Sequence, residues 1–165
     1  MATTASVAAR KMVGFLRDPN TGIAPVVSQM ADDTGVPLPQ IPPANIFNQN
    51  VAFELAEKAQ ALKYPVIYVY TDRVKNSLTE KFRKFSGTVR TVAEVRMSQD
   101  RIEGIEEQVR LYVDGVTQVL DGNRGSWGEG AYYTGGYEVA FEPVRHGGKN
   151  YIQAAKVSFE VDFSQ

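Results

Sequence analysis

The chain has 165 residues, 43% hydrophobic and 22% charged, which is the make-up of one globular domain with a sizeable core and excludes wholesale disorder or a membrane-embedded fold. Eighteen basic residues against nineteen acidic leave a net charge of -1, without the basic excess a dedicated nucleic-acid binder uses to displace counterions from phosphates. No cysteine is present, which rules out disulfides, thiolate metal sites and cysteine nucleophiles and fits an intracellular folding compartment; MATTASVAARKMVGFL is too weakly apolar for a secretory core, and no run approaches the ~20 apolar residues of a spanning helix.

Val7, Ala8, Met12, Phe15 and Leu16 form a helical stripe that predicts a short helix from about Thr4 to Leu16, ended by Asp18-Pro19-Asn20 with Gly22 close behind. A second helix follows Thr21, from Ile23 to about Met30, before Gly35 and the prolines Pro37, Pro39, Pro42 and Pro43 stop regular structure. Residues 1–44 therefore read as a helical segment and proline-rich connector ahead of a core at 45–165. The connector either links and wraps, or serves as a proline-rich recognition ligand; the second reading lacks any sign of disorder around it.

Asn50 to Leu62 predicts a third helix, with Val51, Leu55, Ala59 and Leu62 on one side. Pro65 forces a change, and Val66-Ile67-Tyr68-Val69-Tyr70 is a continuous run of strand formers, the pattern of a strand in the middle of the sheet buried on both faces. Between Asp72 and Arg90, six basic residues (Arg73, Lys75, Lys81, Arg83, Lys84, Arg90) stand against two acidic ones, a local balance of +4, with Phe82 and Phe85 interleaved and Gly87 breaking the segment.

Val89, Thr91, Ala93, Val95 and Met97 then alternate with Arg90, Glu94, Arg96 and Ser98, which share the other face with Val92, as in a strand. Ile102, Ile105, Val109, Tyr112, Val113, Val116, Val119 and Leu120 recur at steps of three and four, so a helix starts at about Arg101, with Asp100 and Glu103 as a capping box. Glu103, Glu106, Glu107, Arg110 and Asp114 lie on its polar face. Asp121 to Gly130 is glycine-rich and reads as a loop carrying the single tryptophan. Tyr137 to Val144 and Tyr151 to Phe163 read as two strands of a hairpin turned at His146-Gly147-Gly148-Lys149-Asn150. The order predicts a single α+β domain over 1–165, with a largely antiparallel four-stranded sheet and helices packed on one face.

Little in the pattern points to catalysis. His146, the one histidine, sits in a predicted turn; with no second histidine and no cysteine, a zinc site would need carboxylates for every other protein ligand, and a triad would rest on a turn residue. The glycine spacing Gly122, Gly125, Gly128 follows a helix, whereas phosphate-binding loops follow a strand and open a helix. Trp127, Tyr132 and Tyr133 are candidate anchors of a docking loop, unless Trp127 folds under its own loop. Charge is segregated: Thr91 to Asp121 holds seven acidic residues against three basic, a balance of -4. Three readings stand: two solvated faces, a head-to-tail contact between copies, or a basic segment that touches DNA phosphates.

The runs Tyr64-Pro65-Val66-Ile67-Tyr68-Val69-Tyr70, Glu80-Lys81-Phe82-Arg83-Lys84-Phe85-Ser86-Gly87 and Glu94-Val95-Arg96-Met97-Ser98-Gln99-Asp100-Arg101, with Gly136-Tyr137-Glu138-Val139 and Gly147-Gly148, resemble virion tail proteins of tailed bacteriophages. From about Asn45 onward the layout is similar to a tail terminator, or tail completion, protein. The resemblance implies a small α+β subunit that forms a ring, typically of six copies, at the head-proximal end of the tail tube, halts tube polymerisation and joins the tail to the head connector. Its implied partners are further copies, the tail tube protein and the head connector or neck protein, with DNA passing through the lumen without sequence-specific binding. No enzyme activity, cofactor or membrane is implied, and the expected location is the virion, after assembly in the host cytoplasm. A head-tail connector (neck or stopper) protein and an accessory nucleic-acid-binding protein are the alternatives. Candidate subunit contacts are Arg73, Lys75, Lys81, Arg83 and Lys84 facing Glu103, Glu106, Glu107 and Asp114 of the next copy. Arg90, Glu94 and Arg96, on the polar face of their strand, are candidate lumen residues.

Overall fold

The first helix, α1 (Thr4–Arg17), buries Val7, Ala8, Met12 and Leu16 as its stripe requires. In the computed structural model, which describes residues 4–59 and 63–165, the chain then turns at Asp18, whose carboxylate accepts from the backbone N–H groups of Asn20 (2.8 Å) and Thr21 (3.0 Å). Those two bonds stabilise the charged form and hold the carboxyl below its usual range. Helix α2 (Ile23–Thr34) runs four residues beyond the predicted Met30, to a left-handed Gly35 (φ 70°) whose N–H reaches the Ala31 carbonyl at 3.0 Å. The extra turn, Ala31-Asp32-Asp33-Thr34, has no apolar stripe to announce it.

The proline-rich connector wraps the body rather than hanging free. Ile41 is buried, the Pro39 carbonyl accepts from the Tyr112 hydroxyl (2.6 Å), and Gln40 donates to the Ala24 carbonyl (3.1 Å). Helix α3 (Phe53–Ala59) starts later than predicted and turns Phe53 and Ala56 inward, leaving Leu55 exposed; Leu62 lies outside the described residues.

Eight strands form one curled, mixed sheet among the described residues: β1 (Ile46–Phe47), β2 (Val66–Asn76), β3 (Ser86–Gln99), β4 (Gly125–Gly128), β5 (Ala131–Tyr133), β6 (Glu138–Phe141), β7 (Arg145–Gly147) and β8 (Asn150–Ser164). The order is β1-β2-β3-β8-β5-β4, and β6 and β7 also pair with β8. β1 runs parallel to β2, and the other pairings are antiparallel. The expectation of a four-stranded antiparallel sheet is therefore wrong. A two-residue β1 carries no periodicity, the glycine-rich stretch folds as the hairpin β4–β5, the predicted strand at 137–144 shortens to β6 ahead of Pro143, which has no N–H for a ladder, and β7 takes up the start of the predicted turn at His146 and Gly147. β2 is buried on both faces over Val66 to Tyr70 as predicted, but its outer neighbour is only the short β1.

The alternation read in the two long strands holds. Val89, Ala93, Val95 and Met97 of β3 and Ala155, Val157, Phe159, Val161 and Phe163 of β8 share the main core with α1 and with α4 (Ile105–Asp121), against which α2 packs. The helices are not confined to that face. Ala56 of α3 packs on Val66, Tyr68, Tyr70 and Val92 across the sheet, and Phe53 packs there on Ile152 and Ala154. α3 covers the far side because the strand residues at that end, Tyr68, Ile152 and Ala154, are apolar there too.

Helix α4 begins at Ile105, four residues after the predicted start, and the capping box does not form. Its N-cap is Gly104 at φ 81°, and the carbonyls of Arg101 and Glu103 are taken by the Gln99 amide instead (2.7 and 2.8 Å). Ile102, the first residue of the predicted stripe, is consequently left outside the helix and 49% exposed.

Candidate functional site

Two charged ends of the sheet and its polar face gather the residues singled out by sequence. At one end β2 continues along the outer edge of β3, which stays paired with β8 as far as Ser86. A register shift between Thr71 and Arg73 lets Asp72 meet Arg90 at 3.4 Å, after which Arg73 to Asn76 are exposed. The connection 77–85 is built from its own polar groups. Asn76 accepts through its side-chain oxygen from the N–H groups of Leu78 and Ser86 (3.2 Å each), and the Gln165 carbonyl accepts from the N–H groups of Lys84 (2.7 Å) and Phe85 (3.0 Å). Gly87 is required by close approach, since a Cβ there would collide with the Lys75 carbonyl.

This framework turns the two phenylalanines in opposite directions. Phe85 packs edge-on against Phe163 (6.4 Å), while Phe82, at φ 65°, is fully exposed with Leu78 beside it in the connection. Around them Arg73, Lys75, Lys81 and Lys84 have no ion partner among the described residues, and Arg83 pairs only with the half-exposed Glu80 at 3.5 Å. The basic candidates are thus brought together on the exposed end of β2 and the connection that follows it.

Of the acidic candidates, Glu103, Glu106 and Glu107 lie at the other end, and Asp114 sits midway along α4. Glu106 pairs along the helix with Arg110 (3.2 Å), whereas Glu103, Glu107 and Asp114 have no ion partner among the described residues. Strand β3 joins the two regions: at ~3.3 Å per residue its span from Ser86 to Gln99 puts them about 40 Å apart. Carboxylates in the first turn of α4 also complement the positive end of the helix dipole.

On the polar face, the candidate lumen residues are corrected by burial. Glu94 and Arg96 are only 5% and 4% exposed and cannot line an open channel; of the three, Arg90 alone is half-buried. Arg96 bonds Glu94 through Nε (2.5 Å) and the Val51 carbonyl through Nη2 (2.6 Å), and its guanidinium lies over the rings of Tyr68 (4.2 Å) and Phe53 (4.6 Å). Glu94 accepts in addition from the Tyr70 hydroxyl (2.9 Å), with the Lys156 ammonium at 3.8 Å. Burial first, and the Glu94 carboxylate second, push the Tyr70 phenol upward, so it stays a donor. The carboxylate's oxygens are already engaged, which suits a structural clamp between α3 and the sheet better than a general base. Sequence reasoning saw Glu94 and Arg96 as one polar stripe; the apolar run Val66–Tyr70, whose alternate residues face them, was the signal that this stripe is covered.

Two clefts flank the clamp. One, of about 260 Å³, is bordered by Asn50, Glu94, Arg96, Glu142, Arg145 and Lys156. The other, of about 290 Å³, lies between β8 and residues 134–138, with Arg90, Tyr137, Glu138, Glu160 and Asp162 in its wall.

The docking-loop candidates are corrected as well. Trp127 is buried among Phe15 (5.0 Å), Tyr133 (5.5 Å) and Phe159 (6.1 Å), and its indole N–H donates to the Asn123 carbonyl at 2.6 Å. Tyr133 is fully buried with its hydroxyl on the Gly136 carbonyl (2.9 Å), and burial raises its phenol to about 12. Only Tyr132 faces solvent, because in the β4–β5 hairpin alternate residues point to opposite faces. His146, on the exposed β7, lies against Tyr151 with ring centroids 4.7 Å apart.

Among the described residues, no group of three or more histidine, aspartate or glutamate side chains is placed to hold a metal ion, and no helix is long and apolar enough to cross a membrane. Compared with known proteins, the chain matches no protein-family model and no curated protein sequence.

Proposed function

We propose that the protein is a structural subunit of a bacteriophage tail, a tail terminator whose copies form a ring, six in the arrangement the resemblance implies, at the head-proximal end of the tail tube. The observation that carries this reading is the placement of uncompensated charge: free cations on the exposed end of β2 and the connection after it, and free carboxylates around the start of α4, about 40 Å apart across one sheet. A subunit with opposite charges at opposite ends favours head-to-tail association, which closes into a ring when the rotation permits. In that ring Arg73, Lys75, Lys81, Arg83 and Lys84 meet Glu103, Glu106, Glu107 and Asp114 of the next copy. The ring halts tube polymerisation, offers its other surface to the head connector and passes DNA without reading its sequence; a neck protein in the same particle would use the same association. The virion is its place of residence.

Mass measurement in solution across concentration and salt tests the reading, together with binding to purified tail tubes. A closed oligomer that dissociates at high salt, or capping of tubes, is expected. A strict monomer that also fails to bind tubes overturns it. A second reading, accessory nucleic-acid binding, is favoured by Phe82 standing exposed among Lys81, Arg83 and Lys84, an aromatic in a basic setting on which a base could stack. It requires steeply salt-dependent DNA affinity lost on neutralising those three cations.

A further inference from the structure

We propose that the connection 77–85 is a preformed docking plug, with Phe82 as its anchor, and that it seats on the turn 101–104 ahead of α4, and on the first turn of that helix, in a second copy of this chain, around Ile102. The inference rests on the head-to-tail reading above and names the apolar contact that charge alone does not supply.

The plug is built to present its tip. Bonds from Asn76, Ser86 and the Gln165 backbone fix both ends of the connection, so little ordering entropy remains to be lost on docking. A phenylalanine held outward at φ 65°, in the same connection as an exposed Leu78 also at positive φ (47°), has no role in this chain's own core, to which the connection contributes Phe85 instead. Interfaces commonly have aromatic residues at the core of the patch and a polar rim around it.

The receiving surface has the complementary make-up. Gly104 at φ 81° and the Gln99 amide hold 101–104 as a turn outside the helix, which leaves Ile102 half in solvent. Asp100, Glu103 and Glu107 outnumber the one cation beside it, Arg101, and none of these four has an ion partner among the described residues. One end therefore offers an apolar step amid free carboxylates, and the other an aromatic amid free ammonium groups. Because the two lie at opposite ends of β3, a subunit cannot satisfy both by itself, and a second copy is the occupant that the charges select.

Since the chain has no cysteine, engineered pairs give a direct readout. Phe82→Cys mixed with Ile102→Cys should yield, on mild oxidation, a disulfide-linked dimer and nothing larger, while Phe82→Cys/Ile102→Cys in one chain should give a ladder ending at the ring. Phe82→Ser should weaken self-association by about thirtyfold or more without lowering the melting temperature, since Phe82 touches nothing in its own chain. Lys81→Glu/Lys84→Glu should abolish association, and Glu103→Lys/Glu107→Lys should restore it when the two variants are mixed. If the wild-type protein forms its oligomer but neither cross-link appears and Phe82→Ser is neutral, the plug is wrong and the ring reading survives. If the wild type neither self-associates nor binds tubes, both fall. If Phe82→Ser instead removes salt-dependent DNA binding while copies remain separate, the plug serves nucleic acid and the proposal is overturned.

Discussion

Replacing Arg96 by methionine isolates the buried clamp between α3 and the sheet. Both Arg96 and Glu94 are at least nine-tenths buried, so the substitution leaves a carboxylate inside the protein with the Tyr70 hydroxyl and a lysine ammonium 3.8 Å away. Breaking a buried pair in this way costs about 3–5 kcal/mol, against about 1 kcal/mol for the lost bond to the Val51 carbonyl and about 0.5–2 kcal/mol for the stacking on Tyr68 and Phe53. The stranded charge is the largest of these. Partial compensation by Lys156 places the charge's share near its lower end, about 3 kcal/mol, and with the lost bond and stacking the expected loss is about 4.5–6 kcal/mol, or a fall in melting temperature of about 9–24 °C for a domain of this size. Urea titration followed by the fluorescence of the buried Trp127 measures it, because that single indole reports the core rather than the clamp. Glu94→Gln/Arg96→Met removes the charge along with its partner and should recover about 2 kcal/mol of the single-variant loss. A loss below about 1 kcal/mol for Arg96→Met, or a strictly additive double variant, refutes the reasoning and returns these residues to the solvent-facing role that a lumen requires.

The aromatic cluster and the tyrosines supply two further tests. Trp127→Ala should cost about 3–5 kcal/mol by leaving a cavity among Phe15, Tyr133 and Phe159, whereas Tyr132→Ala should stay within about 0.5 kcal/mol; equal effects would mean that the β4–β5 hairpin is not seated as described. Burial raises the phenols of Tyr70, Tyr112 and Tyr133 above their unfolded value, so the folded state keeps protons that the unfolded chain gives up. Their stabilisation is complete below about pH 10 and is lost as the pH climbs from there through the folded values. Tyr112→Phe should therefore flatten the alkaline loss of stability in denaturation curves taken between about pH 9 and 12, and an unchanged slope would rule out its burial in the protonated form.

What could be read in advance was whatever repeats. β3 and β8 expose their two faces at every second residue, so both strands, their inward residues and the apolar stripe of α4 from Ile105 onward were legible. What escaped was set by single residues or by tertiary cover. Gln99 captured two carbonyls and moved the start of α4, and two residues at 46–47 made the sheet mixed. Trp127 looked like an anchor because a glycine-rich stretch reads as a loop, and only the pairing of Ser126 with Tyr132 shows which side of the hairpin faces the core. At the candidate site, the charge separation was visible as composition. That Glu94 and Arg96 are buried was marked only indirectly, by the apolar run Val66–Tyr70 facing them, because an alternating polar stripe has the same spacing whether water or another element covers it.

The position of β8 in the chain bears on how the molecule is made. Strands β3, β5, β6 and β7 all pair with β8, yet it follows all of them in the chain and so is synthesised after them. A nascent chain holding residues 1–149 can pair β2 with β3 but leaves the other edge of β3 open along its whole length. For that interval a long strand with an apolar face is offered to any neighbouring chain, the hazard that natural sheets blunt with charge. Arg90, Glu94 and Arg96 lie along that open strand. Glu94 and Arg96, which end as a buried clamp, then serve first with Arg90 as gatekeepers, keeping half-made copies apart until each has closed its own sheet.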